Sequence, residues 1–545
     1  MLKSFTEDCA KSRVFNPLQD ILRGKSQFRM TLSTALAVYI ALCPFQLFSD
    51  SSSENIFSMI ICLSALFIIS HYFKNNKLYE FPCSSMVILG YTFSYFVFPI
   101  IATTMEGKPL VFNLLHPNEV FMASFSTYIG LLMAHLIYQT FNPFQLCRHW
   151  LSKNFVLRAG GFDANSESFL YFCGLIGLSC TAFITFIFHN PENEAHPPYI
   201  KFIQGFQPFA YMPYLILVRS LMGGVEKKIS WYNLFIYSLF IIFVGLGRNS
   251  RAAIFMGFAS CALAIIFAIW LGHKKTALFS WRQAFCATLV AMIVFGPVTQ
   301  FATIMVENRS NRGSISNSEL ALKTLSSLSE VNSSPEKNIK IKNSSTWDEY
   351  YLDNALLARL CNLKYLDSTW HDAKKLKTIS KLYVNNMEWQ RNISILPQPL
   401  ILALGLNVDK NKATGASMGD HIHYAATDNK YVLGGFRTGS LITTAYILFG
   451  WYFPIVIGIL AIPLFIICDS FSLQNSFNSL SYIISPIFLM NLFSLTFFLT
   501  SAATGAEGLS PLVGLWFRSY LQWIFLFIIL KYLYSCTFSV FSVKK

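Results

Sequence analysis

Apolar residues along this chain fall in long uninterrupted blocks, not at the three-to-four spacing of a helix packed on one face of a soluble core. A helix needs about 20 predominantly apolar residues to cross a hydrocarbon layer of roughly 30 Å. Twelve segments meet that requirement, near 29–48, 55–73, 85–104, 118–138, 167–188, 205–222, 231–247, 252–271, 283–306, 441–467, 480–500 and 511–534. The pattern predicts an all-α polytopic membrane protein of about twelve transmembrane helices. Composition agrees, with 54% hydrophobic and only 13% charged residues.

The longest interruption runs from Glu307 to Arg437, between the ninth and tenth spans. Within it "YYLDNALLARLCNLKYLD" places Leu352, Leu356, Leu360 and Leu363 near one helical stripe, and "SELALKTLSSL" and "TWHDAKKLKTISKLYV" also read as short helices. "ILPQPLILALGL" is too short and proline-broken to span, which fits an interfacial or re-entrant piece. "EVNSSPEKNIKIKNSS" and "NVDKNKATGASMGD" read as loops. The expected organisation is a basic leader at 1–28, spans one to nine over 29–306, a large helical loop at 307–440, spans ten to twelve over 441–534 and a tail at 535–545.

Charge sets the expected orientation. Lys3, Lys11, Arg13, Arg23, Lys25 and Arg29 precede the first span, and no small-residue cleavage pattern follows it, so the leader is expected to stay cytoplasmic. Alternation then places Lys74 and Lys77, Arg148, Lys153 and Arg158, Lys227 and Lys228, and Lys274, Lys275 and Arg282 inside as well. The short loops left outside, "DSSSEN", "MEGKPLVFNLLHPNE", "HNPENEAHPPYIK" and "SAATGAEG", are acidic on balance. Both termini are thus expected in the cytoplasm and the 307–440 loop outside. The formal net charge of +14 is then mostly cytoplasmic bias and requires no nucleic acid. The twelve cysteines lie mainly in or beside apolar segments and imply no disulfide framework.

Against that bias, "GLGRNSR" puts Arg248 and Arg251 on the outside, between two spans. Arg309 and Arg312 in "ENRSNRGS" and Arg437 in "GGFRTGS" share that face. Guanidinium stays charged at any accessible pH and binds phosphate oxygens bidentately, so these arginines suit a pyrophosphate held at the membrane surface. The plain alternative for each is a charge snorkelling to lipid headgroups. Asp420, His421 and His423 in "MGDHIHYAATD" are candidates to move a proton, with His371 and Asp372 behind them. His421 and His423 would point the same way only on an extended backbone. No P-loop, G-x-G-x-x-G or H-E-x-x-H occurs, and H-x-H lacks further ligands nearby, so neither nucleotide, metal nor other cofactor is expected.

The "GRNSR" hairpin, the dominant loop that follows it and "GGFRTGSLITTAYILFGWYFPIVIG", with Ser440, Tyr446 and Gly450 in matching places, resemble the Wzy-like O-antigen and exopolysaccharide repeat-unit polymerases. Pro454 stands where that family's last glycine would fall. The resemblance implies a metal-independent glycosyltransferase of the bacterial inner membrane, acting on undecaprenyl-pyrophosphate-linked glycans with inversion at the anomeric centre. It implies that Arg248, Arg251, Arg309, Arg312 and Arg437 bind pyrophosphate, and that Asp420, His421 or His423 serves as base. Membrane lipid, a chain-length regulator and a flippase are the further partners implied. O-antigen ligases share this architecture. A flippase is the rival of a different class, and it should carry ionisable residues within several spans, where the sequence offers chiefly Arg219 and Arg518.

Overall fold

A computed structural model describes residues 17–74, 77–163, 165–188, 198–224, 229–247, 251–273, 348–475, 478–500 and 506–542. Seven described helices are long and apolar enough to cross a membrane, and the protein is an all-α polytopic membrane protein. In chain order the elements used below are α1 (Leu22–Ser49), α2 (Ser53–Tyr72), α3 (Pro82–Met105), α4 (Pro117–Thr140) and α5 (Glu167–Ile187). Two further apolar helices follow, α6 (Trp231–Gly247) and α7 (Arg251–Trp270). Then come α8 (Leu363–Lys375), α9 (Thr378–Ser394) and α10 (Met418–Thr427), and finally α11 (Leu441–Ser470) and α12 (Ser510–Thr537).

Several expected elements take another form. The segment 480–500 is no single span: β2 (Asn478–Ile484) pairs antiparallel with β1 (Ser472–Asn475), and two five-residue helices, Pro486–Met490 and Leu492–Thr496, follow. Pro486 starts a helix without an N–H to donate, and Asn491 interrupts it. Span ten is broken at Gly450, whose φ of 58° turns the chain between Leu441–Phe449 and Phe453–Ser470. The leucine stripe expected over 352–363 divides at Cys361 and Asn362 into Ala355–Leu360 and α8. "SELALKTLSSL" and the ninth span lie outside the described residues.

The bundle is held at close range where α4 and α11 cross. A Cβ on Gly130 would sit 2.4 Å from the Pro454 carbonyl oxygen, and one on Gly458 would sit 2.8 Å from that of Gly130. Lipid offers no hydrophobic drive for helix association, so backbone proximity through small residues supplies packing instead.

Residues 348–440 are fixed to one face of this bundle, called here the loop face. Asp367 of α8 is fully buried and accepts from Leu115 N at 2.9 Å and His116 N at 2.8 Å, just ahead of α4. Glu388 of α9 accepts from Leu509 N at 2.7 Å and Ser510 N at 2.8 Å, at the start of α12. Each carboxylate satisfies N–H groups that a helix start leaves unpaired.

The opposite face has its own version. Asp469, at the end of α11, accepts from Cys83 N at 2.9 Å and Ser84 N at 3.0 Å at the start of α3, and from Tyr138 OH at 2.9 Å. Ser84 Oγ lies 2.5 Å from Asp469 and 2.8 Å from His135 Nε2, and Tyr72 OH lies 2.7 Å from His135 Nδ1. His135 and Asp469 are therefore ionisable residues in candidate membrane-crossing helices beyond the two that the hydropathy pattern singled out, and all of this cluster except Tyr72 is buried.

Asp469→Ala strands two backbone donors and the Tyr138 hydroxyl, at about 1–3 kcal/mol each. The purified variant is expected to unfold at a clearly lower temperature in detergent, with Asp469→Asn milder because one acceptor oxygen survives. An alanine variant as stable as the parent would show that the cap does not hold α3 in place.

Candidate functional site

The predicted "MGDHIHYAATD" loop is the helix α10, and its start explains why. Ser417 Oγ accepts from Asp420 N at 3.0 Å, and Asp420 Oδ2 receives Ser417 N in return, so serine and aspartate close a capping box. Glu507, from the loop before α12, accepts from Met418 N at 3.0 Å at the same helix start.

Asp420 has further acceptor duties. Phe436 N and Arg437 N donate to its two oxygens at 2.8 and 3.1 Å, and Arg437 Nη1 lies 3.1 Å from Oδ1. Phe436 adopts φ 51°, a left-handed conformation unusual for a bulky residue. That turn aims successive N–H groups at one anion, as backbone nests do. Asp420 thus organises the GGFRTG turn, and Arg437 pairs with it.

A helical backbone sends His421 and His423 to different sides of α10. His423 Nδ1 lies 2.7 Å from Asp372 Oδ2, and both are buried. His421 is 1% exposed, with Nδ1 2.9 Å from Tyr383 OH and Nε2 buried without a partner among the described residues. Burial lowers the His421 pKa to about 4, and the nearby Arg391 and Lys412 charges act in the same direction against the opposing pull of Asp420. The imidazole is accordingly neutral at physiological pH, with an available proton-accepting nitrogen. Tyr383, held by burial up at about 12, is the partly exposed member of the pair.

Sequence reasoning passed over Tyr383, Arg391, Glu388 and Glu507. Arg391 Nη1 donates to Ala416 O at 2.9 Å, one residue ahead of the α10 capping box. Burial raises the pKa of Glu388 and Glu507 in spite of Arg391 and their backbone donors. His371, whose pKa burial lowers, meets His116 at 3.1 Å and takes no part in the α10 cluster. Among the described residues no group of three or more His, Cys, Asp and Glu has a metal-binding arrangement.

Arg248, Arg309 and Arg312 fall outside the described residues, and Arg251 is described only through its backbone, as the first residue of α7. A cavity of about 340 Å³ nevertheless borders α6 and α7, on either side of residues 248–250 in the chain, with Gly245 of α6 and Met256 of α7 in its wall. Its polar lining is neutral: Thr181, Gln204, Gln207, Asn491 and Ser494, alongside Tyr211. That volume lies within the roughly 300–1,000 Å³ of ordinary ligand sites. Of the resemblance residues, Ser440 is buried, Tyr446 stacks on Trp370 at 4.5 Å, and Gly450 makes the turn already described.

No family model, curated protein or solved structure matches the chain.

The lowered His421 pKa carries a pH signature. Between its ordinary pKa of 6.5 and about 4, the unfolded chain takes up a proton that the folded one refuses, so stability falls as pH falls across that window. The total is roughly 3 kcal/mol. Unfolding midpoints of the parent and of His421→Gln should converge as the pH drops from 7 to 4.5, and a constant difference between them would contradict a neutral buried imidazole.

Proposed function

We propose that the protein is a metal-independent glycosyltransferase that polymerises oligosaccharide repeat units carried on undecaprenyl pyrophosphate. In this reading it lies in the bacterial cytoplasmic membrane with both termini inside, and the loop face is the outer face. The observation that carries it is the Tyr383–His421 pair: a neutral buried imidazole, reached through a partly exposed phenol, beside the Arg391 and Lys412 charges. Proton acceptor and cations together match a reaction in which a hydroxyl displaces a pyrophosphate.

The acceptor hydroxyl oxygen forms a bond to the anomeric carbon as the bond from that carbon to the pyrophosphate oxygen breaks. The leaving oxygen keeps the electron pair, and the cations stabilise it. The hydroxyl proton passes to the Tyr383 oxygen while Tyr383 gives its own to His421 Nδ1. Displacement from the opposite side inverts the anomeric centre. Arg248, Arg251, Arg309 and Arg312 are assigned to the pyrophosphate on the grounds of residue type and expected topology. Asp420 and Arg437 position the turn beside α10, and His423 is anchored to Asp372.

The buried Asp469–Ser84–His135 cluster favours a second reading, transport of the same lipid-linked glycan, because ionisable groups within spans often mark transport paths. Deleting the protein and resolving the surface glycan by size separates these readings. Single repeat units define a polymerase, free lipid-linked polymer a ligase, and repeats trapped on the inner leaflet a flippase. Restoring His421→Gln or Tyr383→Phe at the parent's membrane level should leave chain extension at least about a hundredfold reduced, the low end for a lost acid–base group. Normal polymer from both variants would refute the assignment of this pair.

A further inference from the structure

Lys201, Lys410 and Arg518 come from distant parts of the chain, and the packing draws them towards one another. The segment ending in Gly205 lies directly on α12: a Cβ on Gly205 would be 2.4 Å from Gln522 Nε2 and 2.7 Å from Leu526 Cδ1. Lys201 is one helical turn ahead of Gly205, and Arg518 is one turn ahead of Gln522. Lys410 donates to Leu396 O, and the neighbouring Ile395 side chain reaches 3.9 Å from where a Cβ of Gly514 on α12 would stand. Burial, followed by the charges of Lys201 and Arg518, holds the Lys410 ammonium below its usual range.

None of the three has a carboxylate within ion-pair distance among the described residues, whereas Arg219, Lys364 and Arg437 all do. Like charges gathered in a partly desolvated place are unfavourable unless an anion joins them. The position indicates which anion. Arg518 lies in the wide turn Leu515–Ser519 near the start of α12, and its neighbour Phe517 is 67% exposed, a side chain suited to lipid contact. Lys201 and Gln204 are three residues apart on one helix and share a face, and Gln204 lines the cavity. A cationic rim therefore adjoins a chamber of amides and hydroxyls with the aromatic ring of Tyr211. Such neutral groups hydrogen-bond a polyol, and an aromatic ring offers a flat apolar face.

We propose that Lys201, Lys410 and Arg518 bind the phosphate groups of a polyprenyl phospholipid, whose hydroxylated head enters the adjoining cavity while its apolar tail stays in the membrane. This assignment rests on the reading of the protein as a transferase of lipid-linked glycans, and it names the place where the carrier docks. It adds a phosphate site to the arginines of the GRNSR hairpin, built from three residues that no local motif connects.

The test uses the full-length protein in phosphatidylcholine nanodiscs, with farnesyl pyrophosphate as probe and phosphatidylglycerol and inorganic pyrophosphate as competitors. The parent should bind farnesyl pyrophosphate about tenfold or more tightly than a Lys410→Gln/Arg518→Gln variant of equal thermal stability, since charge-assisted phosphate contacts are lost. Lys201→Arg should retain binding. Equal affinity of parent and double variant would overturn the site. Inorganic pyrophosphate or phosphatidylglycerol competing as well as the farnesyl compound would overturn its assignment to a polyprenyl phosphate. The probe carries no sugar and undergoes no transfer, so the outcome is independent of whether the protein extends glycans.

Discussion

Carboxylates that cap helix starts from far along the chain are the interaction on which the rest of this structure depends. Asp469 caps α3, Asp367 receives the N–H groups just ahead of α4, Glu507 joins the capping box of α10, and Glu388 caps α12. A helix start in or beside hydrocarbon has unpaired N–H groups and a partial positive charge, and no water to satisfy either. A buried carboxylate answers both needs. In exchange, the helix end and its donors offset the desolvation of the acid. Each cap also fixes two distant segments together, so the same contacts that complete the helices mount residues 348–440 on the bundle.

Much of the architecture was legible in the sequence, because hydrocarbon imposes one requirement, length of apolar helix, that hydropathy reads directly. The segments near 29–48, 55–73, 85–104, 118–138 and 167–188 all coincide with described spans. The pattern failed where an apolar block was long enough to span but its backbone was not regular. Gly450 divides span ten, and 480–500 is apolar because Ile487, Phe488, Leu489, Met490, Leu492 and Leu495 are buried in protein, not because they form one transmembrane helix. Hydropathy cannot distinguish a side chain facing lipid from one facing another helix.

The site was legible only by residue type. "MGDHIHYAATD" stands out in the sequence by its Asp and two His and reads there as a loop, although Ser417 and Asp420 carry a local helix-start signal in S-x-x-D. That signal would have separated His421 from His423 in advance, because a helix turns them apart. Tyr383, Arg391, Glu388 and Glu507 left no such trace: each acts through a partner more than twenty residues away, and such pairings have no period or spacing. His135 and Asp469 are legible in the sequence as polar residues within or at the end of apolar runs, but their shared contact with Ser84 is not.

The caps also change what the charge of the loop face means. By sequence, the short loops on that side are acidic on balance, and residues 307–440 carry only a small excess of Lys and Arg over Asp and Glu. In the folded chain Asp367, Asp420, Glu388 and Glu507 are turned inward onto backbone N–H groups, and Asp372 onto His423, so little of their charge faces a ligand. Lys108, Lys364, Lys374 and Arg437 on that face are paired with carboxylates, whereas Lys201, Lys410, Lys412, Arg391 and Arg518 have no ion-pair partner among the described residues. Where acids are claimed as helix caps and neighbouring bases are not, the local potential is more positive than the composition alone indicates. Net charge counted along a loop therefore understates the attraction for an anion, and the hydrogen bonds already claimed by each carboxylate decide how much negative charge the face still presents.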